Sequence, residues 1–531
     1  MVPTTNQSTP SSHGELCPVL AAAARTDGRI EGLARLPIPA TAAQSLPEEF
    51  IRRNGVLPLL IQDRVLYVAT ARPGNRRVVD EIRLLTGLEV FELTAGDREI
   101  ADRIAECHQE TVEEMSRGFD AAAGLDAEGK NLHDIEVMAN EPTVVNLVNL
   151  IIATAIREGA SDIHLLPFES GLQLRYRVDG LLREKTPPPK PVHAALVSRV
   201  KIMADMNIAE RYLPQDGHIQ INHRGARVDI RVGTMPTIHG ESLVLRLLQK
   251  DSKLLSPMEL GLDAGRAEIL SRLVEKPHGL FLTTGPTGSG KTTTLYSILQ
   301  GLYSPERKIL TIEDPVEYEL AGVAQIPVKP SRGFTFATGL RAILRQDPDV
   351  IMVGEIRDSE TAEIAIRAAL TGHQVFSTLH TNDAPSAVTR LMDMGIEPFL
   401  ISSSLEGVLA QRLVRKICPK CRQAWSPPES VLSKFRGSGR NPTVAISGPF
   451  FSGRGCDECR EGYRGRLGIF ELLTITPELR EQIVQKRPAT ELKATALRNM
   501  MTMREDALRK AAAGLTTLEE IVRVCASEGD E

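Results

Sequence analysis

Residues 285–292 read Gly-Pro-Thr-Gly-Ser-Gly-Lys-Thr, which is the spacing GxxxxGK[ST]. Glycines at these positions let backbone N–H groups turn inward around a phosphate chain. Lys291 adds a positive charge for the β- and γ-phosphates, and the Thr292 hydroxyl suits Mg2+. The candidate nucleotide-binding residues are therefore Gly285, Pro286, Thr287, Gly288, Ser289, Gly290, Lys291, Thr292 and Thr293. Hydrolysis asks for more than a phosphate cradle: a metal, charge neutralisation and an oriented water. Two acidic segments offer these. Ile312-Glu313-Asp314-Pro315-Val316-Glu317 follows a strand-like run and supplies Glu313, Asp314 and Glu317. Residues 348–355 form an apolar strand with Glu355 at its tip, where a Walker B segment usually carries Asp. Either acid could hold the Mg2+ shell or polarise water. Thr371-Gly372-His373 and Ser377-Thr378-Leu379-His380-Thr381 bracket a further strand. Two histidines at one strand edge beside the phosphate site read as a sensor of the γ-phosphate.

A second constellation lies downstream. Cys418-Pro419-Lys420-Cys421 and Cys456-Asp457-Glu458-Cys459 are two CxxC knuckles with 34 residues between them. Four thiolates satisfy tetrahedral Zn2+ with no open position, so the site predicted is structural. Arg412, Arg415, Lys416, Lys420 and Arg422 surround the first knuckle and read as a solvated face or an acidic-partner surface.

The elements that must position these groups follow from periodicity. Apolar runs at Leu280–Thr283, Lys308–Ile312, Val350–Val353 and Val375–Ser377 alternate with helix-like segments, one of them Thr293–Gln300 directly after the phosphate loop. Such alternation predicts a mostly parallel sheet covered on both faces, with ligands at the carboxyl ends of its strands. The phosphates then meet a helix N-terminus. Upstream, Leu147, Val148, Ile151, Ile152, Ala155 and Ile156 form a helical stripe opened by Pro142 and closed by Gly159. Leu172, Leu174, Tyr176 and Val178 alternate with polar residues before an Asp179-Gly180 hairpin signal. Strands at 228–232 and 243–247 present Arg227, Asp229 and Arg231, and Arg246, on their second face. Repeated arginine on a sheet face is ordinarily solvated. A phosphate-binding domain beside it changes that weighting. Residues 46–111 read as a small α+β domain with helices at Glu48–Ile51 and Val78–Leu85 and strands at Val56–Leu60 and Val65–Ala69. It shows no catalytic constellation, which suits docking of a partner. Thr476-Pro477 and Thr516-x-x-Glu519 read as helix starts in a helical tail.

The 531 residues allow roughly three or four domains. Net charge is −5, which argues against a bulk nucleic-acid binder. No run of 18 apolar residues is present, so no transmembrane segment is expected. The N-terminus lacks the basic start and apolar core of a secretory signal. Together with paired cysteines, that reads as a chain of the reducing cytoplasm.

Taken together, the chain resembles the GspE/PilB family of secretion ATPases, the motors of type II secretion and type IV pilus assembly. The matching text is Gly285–Thr292, Ile312–Glu317, residues 345–358 and Thr371–Thr381. Ser161-Asp162-Ile163-His164, Arg175–Gly180, Arg211–Gly217, the tetracysteine insert and residues 462–466 match as well. The resemblance covers residues 136 to the end, and residues 45–115 more weakly. It implies an α/β fold: a RecA-like P-loop motor domain, a preceding α+β (PAS-like) domain, a small N-terminal α+β domain and a tetracysteine zinc insert. Expected segments are a disordered 1–40, a partner-docking domain 41–115, a linker 116–135, an α+β domain 136–250 contributing arginines to the nucleotide site, an ATPase core 251–415, a zinc subdomain 416–470 and a helical subdomain 471–531.

The resemblance implies a homo-hexamer that hydrolyses ATP with Mg2+ and carries Zn2+ on Cys418, Cys421, Cys456 and Cys459. Glu317 matches the water-activating base, Glu355 the Walker B acid and His380 the sensor. Arg231 and Arg246 match arginines that reach the phosphates, and Arg341 and Arg345 match arginines near the subunit boundary. The N-terminal domain would dock the cytoplasmic part of an inner-membrane platform protein, placing the chain in the cytoplasm, peripheral on the inner membrane. The tetracysteine insert speaks against a retraction motor, and the brief, single N-terminal domain favours secretion over pilus extension. That domain lacks the arginine-rich signature of relatives that bind cyclic di-GMP. Two other classes remain open: a nucleotide-dependent scaffold with little hydrolysis, and a zinc-containing nucleic-acid translocase. No NKxD-type segment is present to read guanine, so adenine is expected.

Overall fold

The computed structural model describes residues 38–104, 137–249, 255–435 and 449–525, apart from a few single positions, together with Ile30 and Leu33. It divides into two units, residues 1–124 and 125–531. The predicted linker 116–135 lies outside the described residues.

The first unit contains α1 (Glu48–Asn54), β1 (Val56–Gln62), β2 (Val65–Thr70), α2 (Arg76–Thr86) and β3 (Glu89–Thr94). β1 pairs antiparallel with β2, and β3 returns through α2 to pair parallel with β2. Leu57, Leu66, Ile82 and Leu93 are fully buried between sheet and helix. Ile30 and Leu33 are buried with them, and the Ile30 N–H donates to Thr94 O at 2.9 Å. The ordered unit therefore begins upstream of the expected boundary at residue 41. Two apolar side chains there have a sheet edge and core to join. The remainder of the segment predicted as disordered lies mostly outside the described residues.

The second unit opens with α3 (Pro142–Arg157), β4 (Ala160–Phe168), β5 (Gly171–Val178), β6 (Leu181–Lys185), α4 (His193–Met203), β7 (Gln215–His223), β8 (Ala226–Thr237) and β9 (Gly240–Gln249). Pro142 sits in the first turn of α3, where a missing N–H costs nothing. The strands form one antiparallel sheet in the order β6-β5-β4-β9-β8-β7. Asp179 and Gly180 both take positive φ, 50° and 86°, and close the β5–β6 hairpin. Alternation then sorts the two faces. Ile163, Tyr176, Ile230 and Leu245 are buried, and the Tyr176 hydroxyl donates to Ile151 O of α3 at 2.9 Å. The other face is polar. Register aligns Arg177, Asp162, Arg246, Arg231 and His218 in one rung across β5, β4, β9, β8 and β7.

The central sheet follows. Its elements are α5 (Ala264–Val274), β10 (Gly279–Thr284), α6 (Lys291–Leu302), β11 (Ile309–Glu313), β12 (Ala324–Pro327), α7 (Phe336–Ile343), β13 (Val350–Val353), α8 (Ser359–Leu370), β14 (Gln374–Leu379), α9 (Pro385–Asp393), α10 (Pro398–Ser404) and β15 (Leu405–Ile417). Strand order is β12-β11-β13-β14-β10-β15, all parallel, with β18 (Tyr463–Thr474) added antiparallel at the edge. Every residue of β10, β11, β13 and β14 is buried, as parallel strands covered on both faces must be. Phe281, Met352 and Phe376 face α5 and α6, while Leu280, Leu282, Ile351 and Val375 face α8, α9 and α10. The predicted mostly parallel sheet is thus the observed one.

Between β15 and β18 the chain leaves the sheet for a small two-stranded antiparallel sheet, β16 (Arg422–Trp425) and β17 (Phe450–Gly453). The expected boundary at 470/471 falls inside β18, because its apolar run Leu467–Leu473 completes the sheet edge. The tail is helical: α11 (Pro477–Val484), α12 (Ala489–Ala496), α13 (Met503–Ala512) and α14 (Leu518–Cys525). Thr476 caps α11 through Leu479 N. The predicted Thr516 start shifts by one residue. Thr517 Oγ1 accepts from Glu520 N, whereas the Thr516 hydroxyl donates to Arg415 O at 2.8 Å.

Candidate nucleotide site and tetracysteine centre

β10 ends at Thr284 and the phosphate loop turns from it into α6. Gly285 has φ +147°, and a Cβ there would meet Gln411 O at 2.4 Å and Ser289 Oγ at 2.7 Å. Gly290 caps α6 at φ +89°, and a Cβ there would lie 2.8 Å from Gln411 Nε2. No side chain caps α6, so its first N–H groups point out of the helix end unshared. The Ser289 hydroxyl is buried in the loop with no protein partner. These are fitting surroundings for an anion with many acceptor oxygens.

Lys291 Nζ donates to Gly285 O at 2.7 Å and Pro286 O at 3.1 Å, and lies 3.5 Å from His380 Nδ1. Burial lowers the ammonium from 10.5 to about 8, and the Glu355 charge partly offsets this. His380 Nε2 lies 3.2 Å from Glu355 Oε2. Glu355 also pairs with Arg357, which reaches Asp314 at 3.8 Å. Burial works to raise the Glu355 carboxyl. Hydrogen bonds from Arg357 and His380 outweigh it and hold the group below its usual range. One connected line thus runs Lys291–His380–Glu355–Arg357–Asp314, assembled at the carboxyl ends of β10, β14, β13 and β11. That edge is where an open α/β sheet binds its ligand.

The structure separates the three acids of the 312–317 segment. Glu313 is buried and accepts from Thr311 Oγ1 at 2.5 Å, Gln325 Nε2 at 3.1 Å and the Tyr296 hydroxyl. Asp314 is partly exposed beside Arg357. Glu317 sits 3.4 Å from Arg231, whose guanidinium also donates to Val316 O at 2.9 Å. Arg231 thereby crosses from the antiparallel sheet to the acidic loop. Arg246, its neighbour in the rung, is held by Asp162 at 3.0 Å. Arg341 on α7 pairs with Glu360 at 2.6 Å, and Arg345 donates to Arg341 O.

One expectation is overturned. His373 does not share the phosphate edge with His380. It precedes β14, at the amino end of the sheet, where its Nδ1 meets Ala368 O at 3.1 Å and its carbonyl accepts from Gly279 N. The two histidines stand at opposite ends of a six-residue strand, about 20 Å apart on strand geometry. His373 closes the end of α8, and the sensor pair reduces to His380 alone.

The four knuckle cysteines come together, and each ligand atom lies within 4.8 Å of the others. Individual S–S separations are 3.5 Å (Cys421–Cys459), 3.5 Å (Cys456–Cys459) and 3.9 Å (Cys418–Cys456). Zn–S bonds of about 2.3 Å give a tetrahedron with edges of about 3.8 Å, so the donor set fits that ion. Burial acts to raise the Cys418 thiol, but N–H groups of Lys420 and Cys421 bring it down to about 7. The long gap is spanned in part by β16 and β17, whose pairing brings Arg422 opposite Gly453.

The family described as Type II/IV secretion system protein matches residues 138–523, and the MshEN domain matches residues 29–114. Type II secretion system protein E of Pseudomonas aeruginosa is 44% identical over 499 residues, covering 92% of this chain and 98% of that protein. The type IV pilus assembly ATPase PilB of Myxococcus xanthus is 42% identical over 485 residues, covering 90% and 85%. The crystal structure of the pilus retraction motor PilT with bound ADP superposes with a TM-score of 0.50 at 29% identity, covering 70% of this chain and 95% of that one. The chain belongs to the Type II/IV secretion system protein family. It is an ATPase of that family, a secretion or pilus motor with a RecA-like core.

Several residues that build this family member's site escaped the sequence reading. Gln411 is a buried amide in the strand beside the loop, and its Oε1 accepts from Thr294 at 2.7 Å. A lone Gln in the apolar run Leu405–Ile417 was the available signal. Tyr296 had none, since its partners Glu313 and Glu317 are 17 and 21 residues away. Arg357 lies within the matching 345–358 segment and pairs with Glu355 two residues before it, but its reach to Asp314 was not legible. Thr284 and Thr381 share hydroxyl contacts at 2.8 Å and tie the loop strand to the residue after His380.

Proposed function

We propose that this chain is the ATP-hydrolysing motor of a type II secretion system, working as a hexamer to drive pseudopilus assembly and protein export. The carrying observation is the line Lys291–His380–Glu355 across three adjacent parallel strands beside an uncapped helix N-terminus. In this reading residues 285–293 hold the phosphates through backbone N–H groups, with Lys291 charging the γ-side. Thr292 and Glu355 hold Mg2+, which supplies charge neutralisation when bound. Glu317 takes the proton of the attacking water, and His380 reports the terminal phosphate to Glu355. Arg231 and Arg246 move onto the phosphates as the two sheets close, and Arg341 and Arg345 serve the subunit boundary. Zn2+ on Cys418, Cys421, Cys456 and Cys459 is structural.

Among the described residues no helix is long and apolar enough to cross a membrane. The proposal places the chain in the cytoplasm, held at the inner membrane by a platform protein that docks on the N-terminal unit. The near-equal similarity to PilB supports a second reading as a pilus-extension ATPase. The test is turnover and export together. Lys291→Ala should abolish phosphate release and fail to restore secretion in a strain lacking this chain. Steady hydrolysis by that variant refutes the site. Restored pilus extension by the intact chain, without export, selects the second reading.

A further inference from the structure

The geometry points to Tyr296 as a positioning residue for Glu317, linking the phosphate-loop helix to the acidic loop. This rests on the reading of Glu317 as the base. Tyr296 lies on α6, five residues beyond Lys291, and is fully buried. Its hydroxyl donates to the Glu313 carboxylate and accepts from the Glu317 N–H at 3.3 Å. Glu313 is fixed in turn by Thr311 and Gln325. Gln325 also clips the same loop at both sides, donating to Tyr318 O at 3.2 Å and accepting from Leu320 N at 2.7 Å. The Tyr296 and Tyr318 rings meet edge to face at 4.7 Å. Burial, reinforced by the Glu313 charge, raises the phenol far above its ordinary value, so it stays a donor.

The consequence is directional. A carboxylate on a loop reaches a water reproducibly only if its backbone is held, and a misplacement near 1 Å costs roughly a hundredfold in rate. Nothing in the phosphate loop itself touches the Glu317 backbone among the described hydrogen bonds. Tyr296 makes that contact, and it rides on the helix whose first turn meets the phosphates. A displacement of α6 by a bound nucleotide would therefore reach Glu317 through the Tyr296 hydroxyl and, one residue on, through the Tyr318 ring.

The test is Tyr296→Phe in the full-length protein, which keeps the ring against Tyr318 and removes only the oxygen. Expected is a kcat for ATP about tenfold lower with KM within about twofold, because binding is untouched and positioning is lost. Hydrogen exchange of the 314–320 segment should quicken while α6 stays protected, a change that a purely packing role would not produce. An unchanged kcat, or an unchanged exchange rate in that segment, overturns the proposal. Glu317→Gln measured alongside separates the two claims. If it is inactive while Tyr296→Phe is normal, only the tyrosine inference fails. If Glu317→Gln turns over normally, the base assignment fails and takes the inference with it.

Discussion

Raising the pH should disarm the phosphate loop before it unfolds anything. Lys291 is the group concerned. Burial lowers its ammonium from 10.5 to about 8. The groups facing it are the Glu355 carboxylate, which favours the charge, the His380 ring at 3.5 Å, and the loop carbonyls of Gly285 and Pro286. At pH 7 about nine-tenths of the free protein carries the charge, and at pH 9 about one-tenth. The pH dependence of kcat/KM reports the free enzyme, so it should bend near pH 8 and fall roughly tenfold per unit above it. The kcat at saturating ATP should fall less, since bound phosphates favour the protonated lysine. Binding above pH 8 should therefore take up a proton, which calorimetry in buffers of different ionisation enthalpy measures directly. A flat kcat/KM to pH 9.5 with no proton uptake would refute the argument.

Two further outcomes follow from other parts of the molecule. Chelation of the tetracysteine centre, or Cys418→Ser, should free the 461–465 loop. There Cys418 N donates to Gly462 O at 2.8 Å, and Glu461 takes two hydrogen bonds from Arg183 at 3.1 and 3.3 Å. Protease cleavage near that loop should accelerate, and any metal held there under the proposed function should be lost to the chelator. Undiminished protection would show that the thiolates do not hold the loop. Glu520 is buried between Arg415 and Arg523, and their hydrogen bonds outweigh burial to lower its carboxyl from 4.5 to about 2. That ionisation contributes about 3 kcal/mol of stability above pH 4.5 and is lost progressively as pH falls towards 2. Urea unfolding followed by the single Trp425 should show a Glu520→Gln deficit of that size at pH 7, shrinking by more than half at pH 3.

What the sequence disclosed is local and periodic. Glycine spacing in 285–292, alternation in Leu172–Val178 and the buried runs of the parallel strands each encode geometry within a few residues, and the structure places them as expected. Contacts that depend on register across the fold were not legible. Asp162 and Arg246 are 84 residues apart, and only the pairing of β4 with β9 makes them neighbours. Tyr296 reads as a helix core residue until β11 brings Glu313 against it. The two histidines around β14 misled for a related reason. Adjacency in sequence across a strand means opposite ends in space.

The polar rung explains how one sheet can hold arginines for an anion without a standing electrostatic penalty. Across β5, β4, β9 and β8 it reads Arg177, Asp162, Arg246, Arg231, and each cation already has an acidic partner. Arg177 and Arg246 share Asp162 at 3.5 and 3.0 Å, and Arg231 rests on Glu317 at 3.4 Å. The Arg246 side chain is 56% exposed, so that pairing is worth about 0–1 kcal/mol. A phosphate oxygen in a closing cleft offers a charge-assisted bond of about 1.5–3 kcal/mol. The exchange of partners by Arg246 would, under the proposed function, be downhill only when the terminal phosphate is present, and the matching move of Arg231 would release Glu317. Under the proposed function, closure of the two sheets and liberation of the base are one event, and a magnesium-ATP complex with Arg231 still seated on Glu317 would contradict that coupling.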